Sequence, residues 1–121
     1  MSTQEVGKDL VQLCNAGKFA EAGEKHWAED AVSVEAMGPP GADLTARGKA
    51  ALRAKSEWWA NTHEVHAAKA EGPFVNGDQF AVRFEMDFTV KDSGQRMQMT
   101  EVGLYTVKDG KIVEERFLYG G

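Results

Sequence analysis

The chain is poor in residues that would staple, anchor or charge it strongly. It has a single cysteine, Cys14, so no intrachain disulfide can form and the thiol calls for no oxidising compartment. Its apolar runs are only a few residues long, too short for any segment to span a membrane as a helix. The opening MSTQEVGKDLVQLC has neither the basic start nor the apolar stretch of a secretory signal, and a cytoplasmic setting is expected. Basic residues do not predominate: 14 Lys and Arg stand against 19 Asp and Glu, a net charge of −5, and no basic cluster is present to follow a nucleic-acid backbone. The glycines do not assemble into a phosphate loop. No His/Cys pair has zinc spacing, and His63-Glu64-Val65-His66 is at most a weak metal signal, so neither a metal nor a cofactor is expected.

What is present is an ordinary globular balance, 42% hydrophobic and 27% charged residues in 121 positions, enough for one domain over 1–121 with one core. Val6, Leu10, Leu13 and Cys14 recur at helical spacing until Asn15-Ala16-Gly17 breaks the pattern. Phe19, Ala22, Gly23, His26 and Trp27 share the face of a second helix. A short strand follows from Val32 to Ala36. Met37 to Asp43 holds two of the three prolines and must be a loop. A third helix is expected from Gly48 to about Asn61, with Leu52, Ser56, Trp59 and His63 on one stripe and Trp58 beside it.

After His63 the period becomes two. Phe80, Val82, Phe84, Met86 and Phe88 alternate with polar or small residues, which marks a strand with one apolar face. Asn76-Gly77 and Asp92-Ser93-Gly94-Gln95 mark hairpins before and after it, and Asp109-Gly110 turns the strand Arg96–Val107 into a last one, Ile112–Tyr119. Three helices, one early strand and a four-strand antiparallel meander give an α+β fold with the helices on one face of a bent sheet.

The turns predict which side chains face inward. If Lys91 pairs with Arg96, Phe88 faces Met99, Met86 faces Glu101 and Phe84 faces Gly103, so Met97, Met99, Glu101, Gly103 and Tyr105 join the apolar face. At the last hairpin a two-residue turn would bring Glu114, Arg116 and Leu118 there. A three-residue loop with a left-handed Gly110 would bring Val113, Glu115, Phe117 and Tyr119. The second buries more aromatic surface, at roughly 1.5–3 kcal/mol per large side chain, and is the expectation. Glu101 is then a carboxylate on an apolar face. It either lies in a hollow, where burial can raise its proton affinity toward neutral pH, or is solvated at the sheet rim. Glu115 has the same two options.

These features together resemble the SnoaL-like and ketosteroid-isomerase-like proteins of the nuclear transport factor 2-like superfamily. The resemblance is carried by Trp27-Ala28-Glu29-Asp30-Ala31-Val32, by Arg47-Gly48-Lys49-Ala50-Ala51-Leu52 and by Gly110-Lys111-Ile112-Val113-Glu114-Glu115-Arg116-Phe117, in that order over nearly the whole chain. It implies a cystatin-like cone, in which a strongly bent, mainly antiparallel sheet wraps three helices around an apolar pocket, and often a homodimer through the outer sheet face. The ketosteroid isomerase set does not carry over. Its base position matches Ala36, and its oxyanion-hole positions match Leu10 and Gly103. The Asp-Arg-Asp set of the limonene-epoxide-hydrolase-like members has its nearest counterpart in Arg83-Phe84-Glu85, whose charges alternate onto the polar face. The resemblance leaves Glu101 as the candidate proton carrier.

His66 faces outward if a two-residue turn at Asn76-Gly77 pairs Val65 with Phe88. A three-residue loop would aim it at Met86 and Glu101 as the partner of a general base. His26 is either a pocket group or a cation at a helix C-terminus. His63 could lean over the pocket mouth or cap the third helix. Trp27, Trp59, Phe84, Met86, Met99, Phe117 and Tyr119 are the expected walls for a small apolar or aromatic molecule, with Trp58 a further aromatic at the cone. Asp30 and Glu35 are expected to be solvated or capping charges, and Cys14 a small core residue. Val102, Leu104, Ile112 and Leu118 alternate outward, rimmed by charges, as a homodimer face would. The function expected is binding of such a molecule, with cofactor-free isomerase, cyclase or hydratase chemistry on Glu101, or else a non-catalytic binding or assembly module.

Overall fold

A computed structural model describes residues 1–120. The chain enters through helix α1, Thr3–Asn15, whose start is a reciprocal cap: the Ser2 hydroxyl accepts from the Glu5 amide at 3.1 Å and the Glu5 carboxylate accepts from the Ser2 amide at 2.9 Å. Val6, Leu10, Val11 and Cys14 form its buried stripe. Gly7 lies in that stripe because a Cβ there would stand 2.8 Å from Pro73 and 3.2 Å from Phe80. Helix α2, Phe19–His26, runs directly into strand β1, Trp27–Val34, and helix α3 spans Lys49–Thr62.

Strands β3 (His63–Asn76), β4 (Gln79–Val90), β5 (Arg96–Lys108) and β6 (Lys111–Leu118) form the expected antiparallel meander. A short strand β2, Thr45–Arg47, was not expected. It pairs antiparallel with β1, and β1 lies parallel to β6, so the sheet order is β2-β1-β6-β5-β4-β3. The three helices sit on one face of this mainly antiparallel sheet. Between them lie Val6, Leu10, Leu52, Phe80, Val82 and Ile112, whose burial drives the packing.

The registers differ in detail from expectation. Thr89, not Lys91, pairs with Arg96, so Phe88 meets Met97, Met86 meets Met99 and Phe84 meets Glu101. The connection needs the extra residues because it closes on itself, with the Val90 amide bonded to the Gln95 carbonyl and the Gly94 amide to the Val90 carbonyl, each at 2.8 Å. The shift is two residues, and an even shift leaves every side chain on its expected face. At the last hairpin Lys108 pairs with Lys111 across a two-residue turn, with Asp109 and Gly110 both at positive φ. The three-residue loop is therefore corrected. A bulge immediately after the turn restores its consequence, since Tyr105 pairs with Glu115 and Gly103 with Phe117. Ahead of the bulge the two-residue register still holds, so Ile112 stands opposite Val107 and turns into the core, fully buried, rather than onto the outer face.

The β3–β4 hairpin turns through Gly77-Asp78, with Asn76 opposite Gln79. Two bulges farther along bring Val65 opposite Phe88, and His66 is the extra residue at the second. It is exposed, its Nε2 lies 2.7 Å from the Thr89 hydroxyl, and it does not approach Glu101 as a base partner.

Candidate active site

Beyond the packed core, toward the ends of β4, β5 and β6 nearest Glu101, the inner sheet face carries a connected polar group. Glu115 on β6 is only 7% exposed, yet both carboxylate oxygens are satisfied: the Trp27 indole N–H donates to Oε1 at 2.6 Å and the Ser33 hydroxyl to Oε2 at 2.9 Å. Ser33 in turn accepts from the Lys55 ammonium at 2.8 Å, and Lys55 makes an ion pair with Glu35. The Tyr119 hydroxyl donates to the other Glu35 oxygen at 2.8 Å. The Lys55 Nζ also lies 5.3 Å from the centre of the Phe117 ring. Residues from β1, α3, β6 and the segment after each of the two strands thus meet at one place.

Glu101 belongs to this group by field rather than by bond. It stands opposite Phe84 on the inner face and is partly buried. Among the described residues it takes part in no hydrogen bond or ion pair. Burial pushes its carboxyl up to about 7, the neighbouring Glu35 and Glu115 charges push the same way, and Lys55 opposes them. Glu115 is also raised by burial, against the bonds from Trp27 and Ser33. The two inward-facing carboxylates therefore differ in task. Glu115 is tied down, while Glu101 is free to exchange a proton near neutral pH.

The walls are apolar. Phe84 and Phe88 are buried, while Met86, Met99, Trp59, Phe117 and Tyr119 remain partly exposed. His63 stacks on Trp59 with ring centres 4.3 Å apart and lies edge-on to Phe88 at 5.3 Å, and its Nδ1 is 2.9 Å from the Trp59 carbonyl. It caps α3 and joins the aromatic wall at once. Trp58 points outward, 61% exposed.

Of the residues expected at the site, Glu101, Glu115, Trp27, Phe84, Met86, Met99, Trp59, Phe117 and Tyr119 share the inner side of the sheet. Trp27 serves Glu115 and packs on Gly23, so it supports the polar group rather than presenting a free surface. His26 does not join them. It is 1% exposed and turns to α1, where its Nε2 lies 2.6 Å from Asp9. His66 is outside, as described above. Cys14 is buried and its thiol is pushed up to about 12 by burial, so it stays protonated. Sequence reasoning misses Lys55 and Ser33, and it expects Glu35 to be a solvated or capping charge, whereas it pairs with Lys55 and accepts from Tyr119. The alternation Val32-Ser33-Val34 did signal that Ser33 shares a face with Ala31, but nothing local marked α3 as the source of a partly buried cation.

Two concavities, of about 230 and 540 Å³, lie along the sheet. The first is lined by Glu101 and Tyr119 together with Arg83, Val102 and Leu118, the second by Met86 and Met99 together with Lys69, Glu85, Asp87 and Gln98. No helix is long and apolar enough to cross a membrane.

The family model for the SnoaL-like domain matches residues 1–119. A Mesorhizobium loti protein provisionally named a SnoaL-like polyketide cyclase has a crystal structure with 54% identity and a TM-score of 0.92, covering 98% of this chain and all of its own. A Xanthomonas campestris protein of unknown function with a cystatin-like fold is 22% identical at a TM-score of 0.78, covering all of this chain and 92% of that one. A Catenulispora acidiphila protein with a ketosteroid isomerase-like fold, solved with trimethylamine, is 15% identical at a TM-score of 0.74, over 96% of this chain and 85% of that one. The last two likenesses concern the fold alone. No protein of curated function matches the sequence. With its three helices on one face of an open six-strand sheet and a family match over nearly its full length, the chain belongs to the SnoaL-like domain family.

Proposed function

We propose that the protein binds a small apolar or aromatic metabolite between α3 and the inner sheet face and moves a proton on it without a cofactor, with Glu101 as the proton carrier. One observation carries this: a partly buried carboxyl, unbonded among the described residues and raised to about 7, stands between aromatic and methionine walls. A proton carrier works best when its affinity lies near the ambient pH. The isomerase, cyclase or hydratase type follows from the same group, because each needs one proton delivered or removed beside an apolar body. The name of the Mesorhizobium relative fits that class. A cytoplasmic setting fits the lone, buried Cys14.

The test is Glu101→Gln, assayed against a panel of apolar ketones, carboxylates and aromatics. Ligands that raise the unfolding temperature of the wild type mark binding by mass action. Turnover of those ligands should fall in the variant, and an unchanged rate would remove Glu101 from the reaction.

A second reading is an assembly module. Val102, Leu104 and the half-exposed Leu118 lie on the outer sheet face among charges and favour a homodimer there. Light scattering of the wild type and of Leu118→Glu tests it: a dimer that the variant splits supports it, and a monomeric wild type removes it.

A further inference from the structure

The edges of the sheet are not treated alike. Strand β2, at one end of the strand order, is only three residues long. Strand β3, at the other end, is blocked. The Asn15 side chain donates to the Ala70 carbonyl at 3.0 Å and accepts from the Ala70 amide at 2.8 Å. Bulges at His66 and between Glu71 and Phe74, where Pro73 has no N–H, interrupt the rest of that edge. Short strands, bulges and prolines keep an edge from pairing with another chain. A further stretch of edge lies inside the strand order. Strand β6 stops at Leu118, opposite Val102, so β5 extends from Glu101 back to Arg96 with no neighbouring strand on that side among the described residues. The Tyr119 hydroxyl donates to Glu35 at 2.8 Å and lies 3.2 Å from the Met37 carbonyl, which draws the chain after β6 away from β5. The concavity of about 230 Å³ lined by Thr100, Glu101, Val102, Leu118 and Gly120 marks this notch.

The ladder fixes which backbone groups are left over there. In an antiparallel pair, hydrogen-bonded and non-bonded positions alternate. The Val90 amide bonds to the Gln95 carbonyl at 2.8 Å, so the odd-numbered residues of β5 give their N–H and C=O to β4: Met97 opposite Phe88, Met99 opposite Met86 and Glu101 opposite Phe84. Arg96, Gln98 and Thr100 turn theirs the other way, into the notch. Arg96–Thr100 contains no proline, glycine, lysine or bulge. Arg96, Met97, Gln98 and Thr100 are exposed, and the Arg96 guanidinium is held aside by Asp87 at 2.8 and 3.0 Å. This edge carries none of the guards that β3 has.

We infer that this edge pairs with the same edge of a second copy of the chain, antiparallel and centred on Gln98, joining two sheets into one. A strand that fits the notch must be polar on one side and apolar on the other, in step with the free backbone groups. The segment Arg96–Thr100 is itself such a strand. On a two-fold axis Gln98 meets Gln98, and Arg96 of each copy meets Thr100 of the other. All of these positions direct N–H and C=O off the edge, so each pair can exchange both bonds. Directly paired residues share a side of the sheet. Met97 of one copy therefore lies opposite Met99 of the other on the inner face, and the polar side chains meet on the outer face. No two charges of like sign stand opposed, since Arg96 meets Thr100 and Glu101 falls beside Gln95. The pairing covers Met97, which is 40% exposed in the single chain, and extends the apolar wall beyond Glu101 with a second copy's methionines. It uses the edge of the sheet rather than its outer face, and it does not depend on the chemistry of Glu101.

Sedimentation velocity of the full chain over a concentration series tests this. The wild type should associate reversibly. Gln98→Pro removes an N–H directed off the sheet and leaves the bonds to β4 intact. It should stay a single chain at every concentration, with a thermal midpoint near that of the wild type. Residue 98 meets itself on the axis, so Gln98→Lys and Gln98→Glu should each weaken association, by about fivefold for like charges directly opposed. An equimolar mixture of the two should restore it. This charge pair decides the question if Gln98→Pro fails to fold. A wild type that stays a single chain overturns the inference, even if an extended peptide from another protein binds the edge. Association that Leu118→Glu abolishes, while Gln98→Pro and the charged variants keep it, belongs to the outer face and also overturns it. So does a mixture of the charged variants that associates no better than either alone.

Discussion

The indole of Trp27 donates to the carboxylate of Glu115 at 2.6 Å across 88 residues of sequence, joining the first residue of β1 to the middle of β6. This bond lets a carboxylate sit 7% exposed in the cone and fixes the inner end of the polar chain. In Trp27→Phe the ring packing is largely kept but Glu115 loses one of its two donors. We predict a loss of about 1–3 kcal/mol in unfolding free energy, from a buried acceptor left unsatisfied. Urea denaturation measures it across a pH series, and the loss should shrink toward acid pH as Glu115, whose carboxyl is raised by burial, takes up its proton.

Glu101 gives a pH dependence of defined sign. Its carboxyl rises from 4.5 to about 7 on folding, so the folded chain holds this proton more tightly than the unfolded chain. The associated stability is fully present below about pH 4.5 and is lost as the pH rises through 7. Glu101→Gln is neutral at every pH and escapes that loss. Its stability relative to the wild type should therefore grow between pH 5 and 8, by on the order of 1–3 kcal/mol given the partial exposure of the site. Paired denaturation curves at several pH values show the trend, and parallel pH profiles would contradict it.

Lys55 opposes the rise at Glu101 and makes an ion pair with Glu35. Removing it as Lys55→Met should move the Glu101 titration upward, by about one pH unit or more for the loss of a nearby opposite charge. Carbon-13 NMR of the labelled glutamate carboxyls follows this without any ligand. A downward shift would mean that the cation does not act on Glu101.

The Trp27 indole also explains a glycine. A Cβ on Gly23 would stand 2.5–2.7 Å from three atoms of that ring. Gly23→Ala gains helix propensity in α2, yet it must push a buried indole that is held at its other end by Glu115. Overpacking of this kind costs typically 1–3 kcal/mol, and the net change should be destabilising in thermal unfolding.

The sequence made the faces of the sheet legible because alternation survives errors of even size. Glu101 was expected beside Met86 and stands beside Phe84, yet it points inward in both cases. It was less able to fix the routes, since the pairing of Val65 with Phe88 is reached through two bulges that carry no local signature. Strand β2 was missed because three residues after a proline-containing loop show no period, and its partner is β1. The polar chain was invisible for a related reason. Ser33 and Glu115 are 82 residues apart, and Glu35 and Tyr119 are 84 apart, so only the parallel pairing of β1 with β6 brings them together. His26 read equally well as a pocket group, and what decided it was Asp9 on a different helix.

The central claim is that burial and neighbouring acids hold the proton of Glu101 into the neutral range. Carbon-13 titration of the Glu101 side chain in the wild-type protein, assigned by its absence in Glu101→Gln, tests this most directly. The account predicts a midpoint near 7, and a midpoint in the ordinary carboxylate range near 4.5 would contradict it.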